Sequence, residues 1–298
     1  MWKYLIVMTY MLTSAVCYSK TYTYTQSFTG SEYGSYQLDV LRAALEITAD
    51  KYDKGTITPH PFPMSQSRQI ATLMAGQADI MWSISTEKLE KTLLPVRFPL
   101  IQGLGGYRIF VINQAKQGNF PADQTLDNIK RMACVQGRDW PDSKILEAHR
   151  FNVHTAIWSD WYTSMYRSVE EGMVDYFPRN VVEAQRDLNY HLNEQLTIEK
   201  NHLLVYPSYE YYFVSPHSPE LQTRLYEGIK ILLQNGELAK LFNRYPAHRK
   251  AREIINDPQR VVHQLTSSVL SYTWSNANWE AAPDAFLQEF NTRNDLSP

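Results

Sequence analysis

The stretch Ala75–Lys91, AGQADIMWSISTEKLEK, ends a helix, opens an apolar strand and then spends four hydroxyl or charged residues in a row. Upstream, Ile70, Leu73 and Met74 keep helical spacing, and Gly76 falls where a left-handed residue closes a helix. Three residues later Asp79 precedes the apolar IMWSI. The same punctuation recurs in YTSMYRSVEEGMVDYFP, residues 162–178. There Tyr162, Met165, Tyr166 and Val169 keep the spacing, Gly172 stops the helix, and Asp175 precedes the next strand.

The flanks of the two copies also correspond. Before the first lie a strand TYTYTQS, a helix YQLDVLRAALEITADKY and a strand TITPHPF. Before the second lie a strand MACVQG, a helix DSKILEAHRF and a strand VHTAIW. Strands alternating with helices predict a mainly parallel sheet in each of two α/β lobes. The apolar GGYRIFVINQ and the returning HLLVYPSYEYYFVSP read as two strands crossing between the lobes, a hinge. This divides the chain into lobe 1 (20–112 and 207–245), an inserted lobe 2 (113–206) and a C-terminal helical extension (246–298) expected to pack on lobe 1.

A formal charge of −2 leaves no electrostatic footprint for nucleic acid. The 20 Tyr and 7 Trp are abundant enough to supply flat contact surfaces as well as core. Residues 1–19 carry one Lys, an apolar run and then small residues, the pattern of a signal peptide cleaved after Cys17 or Ser19. Val16 stands where a lipoprotein needs a small residue, which argues against a lipid anchor on Cys17. The expectation is a periplasmic, monomeric protein. Only Cys134 would remain, in an apolar setting that favours an inert thiol.

These marks together resemble the bacterial extracellular solute-binding proteins of family 3. They are YQLDVLRAAL, LMAGQADIMWSISTEK, VQGRDWPDSKIL, SVEEGMVDYF and SPELQTRLYEGIKILLQNGELAKLFNRYP, in the family's order. The resemblance covers roughly residues 20–245. It implies the type II periplasmic-binding-protein fold, two lobes joined by a two-strand hinge, with a ligand in the cleft. It further implies that Ser83, Ser85 and Thr86 offer hydroxyls to that ligand; a helix N-cap at Ser85 or Thr86 is the alternative.

Two departures bear on the ligand. Amino-acid-binding relatives grip the ligand carboxylate with an arginine where this chain has Leu89. They grip its ammonium with a carboxylate where it has Asn180. Weak binding of free amino acids is the expectation. Arg138, before a helix starting near Pro141, and Arg179, beside Asn180, are the candidate anion grips. Pairing of Arg138 with Asp139 or Asp142, and of Arg179 with Glu183, is the competing reading. Tyr33, Tyr36, Trp82, Trp140 and Phe177 are candidate aromatic walls, or core.

Metalloprotease, P-loop, nucleophile-elbow and dinucleotide-binding motifs are absent, so no metal, cofactor or catalytic residue is assigned. The function expected is capture of a small polar, anionic or aromatic ligand for an inner-membrane ABC permease. A ligand sensor docking a membrane partner and a dehydratase on the same scaffold are the alternatives.

Overall fold

The computed structural model describes residues 20–28, 33–157, 164–191 and 195–294. The signal-peptide reading of residues 1–19, with Cys17, lies outside them. In chain order the elements begin with β1 (Lys20–Tyr24), α1 (Ser35–Ile47), α2 (Ala49–Tyr52) and β2 (Gly55–Pro59). Next come α3 (Gln66–Met74), β3 (Ile80–Ile84), α4 (Glu87–Thr92), β4 (Leu94–Val96), β5 (Tyr107–Asn113) and α5 (Leu126–Arg131). They continue with β6 (Ala133–Gly137), α6 (Pro141–Ala148), β7 (Asn152–Ala156), α7 (Tyr166–Glu170), β8 (Tyr176–Asn180) and α8 (Val181–His191). The last are β9 (Leu196–Ile198), β10 (His202–Val205), β11 (Glu210–Val214), α9 (Pro219–Gln234), α10 (Glu237–Arg244), α11 (Pro246–Ile255), β12 (Val261–Gln264) and α12 (Pro283–Arg293).

Two separate sheets result, in the orders β2-β1-β3-β11-β4 and β12-β10-β5-β8-β6-β7, with β9 also on β5. The triplets β2-β1-β3 and β7-β6-β8 are parallel and correspond one to one. Each sheet is mixed, because β11 and β5 join antiparallel to β3 and β8. Both joining strands are buried along their lengths, Ile109–Ile112 in β5 and all five residues of β11. That is why they read as unbroken apolar runs rather than as alternations.

The repeated helix stops do identical work. Gly76 and Gly172 take φ of 69° and 72°, a backbone state that a side chain disfavours. The turns they make place Asp79 and Asp175 beside the first strand of each triplet. Asp79 donates its backbone N–H to Thr23 O (2.8 Å) and accepts from Thr23 N at Oδ2 (2.7 Å). Asp175 does the same with Ala133 O (2.8 Å) and Ala133 N (2.9 Å). Each aspartate thus clamps its strand's start against its neighbour.

The C-terminal segment does not keep to the first sheet, contrary to expectation. β12 pairs in parallel with β10, Val261 to Gln264 opposite His202 to Val205, and so extends the second sheet. The belt that follows turns back across the molecule. Trp274 Nε1 donates to Tyr211 OH (2.6 Å), and the fully buried Trp279 donates to Pro99 O (3.0 Å). Phe286 and Phe290 of α12 then pack their rings on Phe98, beside β4. Apolar burial against β4 and β11 decides this end, while four backbone pairs decide the other.

Removing either clamp by Asp79→Ala or Asp175→Ala should cost about 1.5–3 kcal/mol, the range for hydrogen bonds to a charged group. Urea unfolding of the two variants should give similar losses. A negligible loss in both would mean that the turns hold the register unaided.

Candidate functional site

The carboxyl ends of β1, β3 and β8 and the starts of β5, β11 and α6 converge between the two sheets, the place where open α/β sheets bind ligands. They enclose a cavity of about 100 Å³. From the side of the first sheet, with α3, come Thr25, Gln66, Gln69, Trp82, Ser83 and Glu210; from the side of the second, with α6 and α8, come Arg108, Trp140, Asp142, Arg179, Asn180 and Glu183. A neighbouring cavity of about 80 Å³ shares Tyr33, Trp82, Asn180, Glu183 and Glu210 with it.

Both indoles sit against glycines. A Cβ on Gly34 would lie 2.3 Å from Trp82 Cζ2, and one on Gly137 would lie 2.4 Å from Trp140 Cδ2. The rings therefore settle where any other residue would displace them. Behind Trp140 stacks Phe177, ring centroids 6.4 Å apart. Arg179 holds its guanidinium over the Trp140 ring at 5.3 Å.

The charges are dense and mostly paired. Arg179 binds Glu183 Oε2 and Asp187 Oδ2, each at 2.7 Å. Asp187 is fully buried, which opposes its ionisation, yet Arg179 and Arg186 outweigh that and hold the carboxyl below its usual range. Arg108 donates Nε–H to Tyr206 OH (2.9 Å) and brings Nη2 within 2.6 Å of Asp142 Oδ1. The two charges form a buried ion pair, although Nη2 meets no acceptor with the geometry of a good hydrogen bond. Asp142 Oδ1 also accepts from the Tyr206 hydroxyl. Glu210 is the exception to pairing. Its Oε1 accepts from Gln37 Nε2 at 2.5 Å, and no cation bonds to it among the described residues. Burial pushes its carboxyl up to about 7, against the opposing pull of the Gln37 bond.

Of the residues expected at the site, Tyr33, Trp82, Ser83, Trp140, Arg179 and Asn180 line the cavity. Ser83 Oγ accepts from Gln66 Nε2 (2.8 Å), and Asn180 Oδ1 accepts from Val182 N (2.9 Å) at the start of α8. The others are elsewhere, each for a local reason. Tyr36 is buried and lines only the neighbouring cavity: its OH donates to Leu100 O (2.9 Å) and its ring meets Phe242 and His248. Phe177 is fully buried under Trp140. Ser85 is buried and donates to Glu90 Oε1 (2.5 Å). Thr86 caps α4, accepting from Leu89 N (3.1 Å), and faces an outer opening rather than the cavity.

Arg138 is exposed, makes no ion pair among the described residues and lines neither of the two cavities, so the competing pairing with Asp139 or Asp142 is not formed. The α6 N-terminus that it was to share with an anion already holds Asp142 in its first turn. Arg179 is committed to α8 through Glu183, the competing reading, and through Asp187 as well. It is no vacant anion grip.

The outer opening, about 750 Å³, lies between α4 and α6 and is lined by Lys88, Asp139, Lys144, Ser268 and Val269 among others. The belt crosses it. Ser268 Oγ donates to Lys144 O (3.3 Å) on one side, and Glu87 N donates to Val269 O (2.9 Å) on the other.

No family model matches the chain, and no curated protein sequence matches it. Solved structures do match. An ancestral arginine-binding protein bound to arginine superposes with a TM-score of 0.57 at 14% identity, over 76% of this chain and 98% of its own. The chain has the two-lobed fold of the periplasmic binding proteins. A periplasmic binding protein of Salmonella typhimurium with high arginine specificity gives 0.56 at 14% identity, over 76% and 99%. A histidine kinase sensor domain with similarity to periplasmic binding proteins gives 0.55 at 14%, over 76% and 96%.

Within this periplasmic-binding-protein fold, sequence reasoning missed Arg108, Asp142 and Glu210. A signal existed for two of them. Arg108 is the one Lys, Arg, Asp or Glu in GGYRIFVINQ, and Glu210 the one in HLLVYPSYEYYFVSP. A lone charge in a buried crossing strand needs a reason of its own.

Two measurements follow from the charges. Arg179→Met should destabilise the protein by about 3 kcal/mol, the low end for breaking a buried pair, because buried Asp187 keeps Arg186 but loses one of its two arginines and half-buried Glu183 loses its partner. Near-unchanged stability in chemical denaturation would return Arg179 to the role of a vacant grip. Glu210 is raised above its unfolded value, so its ionisation weakens the fold as pH rises from about 4.5 toward 7. Glu210→Gln should therefore exceed wild type by about 3 kcal/mol at pH 8, with the gap closing by pH 5. A pH-independent difference between the two would contradict this.

Proposed function

We propose that this chain is an exported, monomeric solute-binding protein that takes a small polar ligand between its two lobes and hands it to a membrane permease. In this reading lobe 1 comprises 20–112 and 207–245, lobe 2 comprises 113–206, and β5 with the β10–β11 passage forms the hinge. The observation that carries it is the cavity itself. Opposite sheets contribute one indole each, Trp82 and Trp140, and between them Arg108 keeps an Nη2 with no well-aligned hydrogen-bond acceptor.

A buried donor without an acceptor costs about 1–3 kcal/mol. A ligand carboxylate or similar anion, sharing the guanidinium with Asp142, would recover part of that loss. The ligand's anionic group thus meets Arg108, not Arg179 or Arg138, and its flat or apolar body lies between the indoles. The positions of the amino-acid grips offer nothing to compete: Leu89 is buried in α4, and Asn180 is bonded into α8.

One structural neighbour is a sensor domain of a histidine kinase, which keeps ligand sensing as the alternative to uptake. Both require binding first, so binding is what to test. The purified chain should be melted with standard amino acids, dicarboxylates, aromatic carboxylates and short peptides. A true ligand at 100-fold over its Kd adds about 2.7 kcal/mol of stability. Arg108→Lys, which cannot reproduce the planar fork, should lose most of that gain. Silence across the whole panel would overturn the proposal.

A further inference from the structure

Glu210 begins β11, where the chain has just returned from the second sheet, and Arg108 lies near the start of β5, where it has just left the first. The two crossing passages therefore bring opposite charges to one cavity, and those charges do not bond to each other. Glu210 is 8% exposed, and that remainder faces the two cavities whose walls it forms. Its Oε1 is engaged by Gln37, while its Oε2 has no partner among the described residues.

No neighbouring cation forms an ion pair with it among the described residues. Arg179 holds Glu183 and Asp187; Arg186 holds Asp187 and lies over the Tyr33 ring at 4.7 Å; Arg108 sits against Asp142. From α8 Glu183 adds repulsion, and Tyr245, just before α11, and His248 within it close the second cavity, the histidine kept neutral by burial that lowers it to about 4. With Oε1 held by Gln37 and no protein donor on Oε2, the carboxylate stands at the wall of two cavities with an oxygen open to a donor.

We propose that Glu210 reads a cationic nitrogen of the ligand, an ammonium or guanidinium that donates to Oε2, and that this contact selects among ligands. The inference rests on the solute-binding reading above and adds a second charge to the ligand. Because an empty Glu210 titrates near neutrality, binding a cation drives off a proton when the pH is low. Affinity should then fall as pH falls.

The test uses matched probes that differ in the cationic nitrogen: 4-aminobutyrate with butyrate, and L-arginine with L-citrulline. Wild type, Glu210→Gln and Arg108→Lys are titrated calorimetrically at pH 8 and pH 6. At pH 8 at least one nitrogen-bearing member should bind wild type tenfold or more tighter than its mate, and Glu210→Gln should erase that preference. Wild-type affinity for it should drop about tenfold from pH 8 to pH 6, as the ionised fraction drops, and the Gln variant should stay flat. Equal binding within both pairs, or a preference or pH slope that survives Glu210→Gln, would overturn the assignment. If only acids without the nitrogen bind, and Arg108→Lys weakens them, the Glu210 role fails while solute binding stands. If no probe here or in the earlier panel binds, both fail.

Discussion

A strand that starts straight after a helix exposes a first amide before any ladder can form, and in both sheets an aspartate meets that need. Asp79 and Asp175 each exchange two hydrogen bonds with the strand beside them, and the glycine three residues earlier makes the turn possible. Register in a sheet is all or nothing, since a slip of one residue turns every side chain to the other face. With the starts of β3 and β8 fixed, their ends are fixed too. Ser83 and Arg179 both stand four residues past their aspartates, and both reach the cavity from opposite sheets. The site is a consequence of two clamps placed nowhere near it.

The charge pattern inside is harder to maintain than an apolar filling. Burying ions costs several kcal/mol each unless the geometry compensates, and a pair is often no better than hydrophobic residues of the same volume. Such residues persist where they do something else. Here the arginine and carboxylates of α8 anchor that helix to β8 and brace Trp140 from behind. Arg108 and Glu210 are satisfied only in part. The division is between charges that fix the walls and charges left to face the contents.

The architecture was legible in the sequence because it depends on local rules. Gly76 and Gly172 had to be turns, the flanking periods had to be helices, and the crossing strands had to be buried on both faces. Trp82, Ser83 and Trp140 were placed from their positions at strand ends and helix starts. What was not legible was competition between partners. Arg179 sits at a strand end either way, and only folding shows that Glu183 and Asp187, one and two turns into α8, reach it. Tyr36 lies one turn from Tyr33, yet α1 points it at Phe242 and His248. β12 was missed because four residues of modest apolarity, VVHQ, become a strand only when β10 offers an unpaired edge.

The belt sets a limit on travel. Ser268 is bonded to α6 and Val269, its chain neighbour, to α4, so successive residues grip the two banks of the opening. Adjacent Cα atoms are about 3.8 Å apart and cannot be stretched. The banks can separate only by what side-chain slack allows before one grip lets go. The Val269 grip is a backbone bond of 2.9 Å, and the Ser268 grip is a hydroxyl contact of 3.3 Å that must yield first. Upstream, β12 and Thr266 remain bonded to the second sheet and to His149, so once Ser268 yields the belt still ties the banks together through Val269, and a wide separation must break that backbone bond as well.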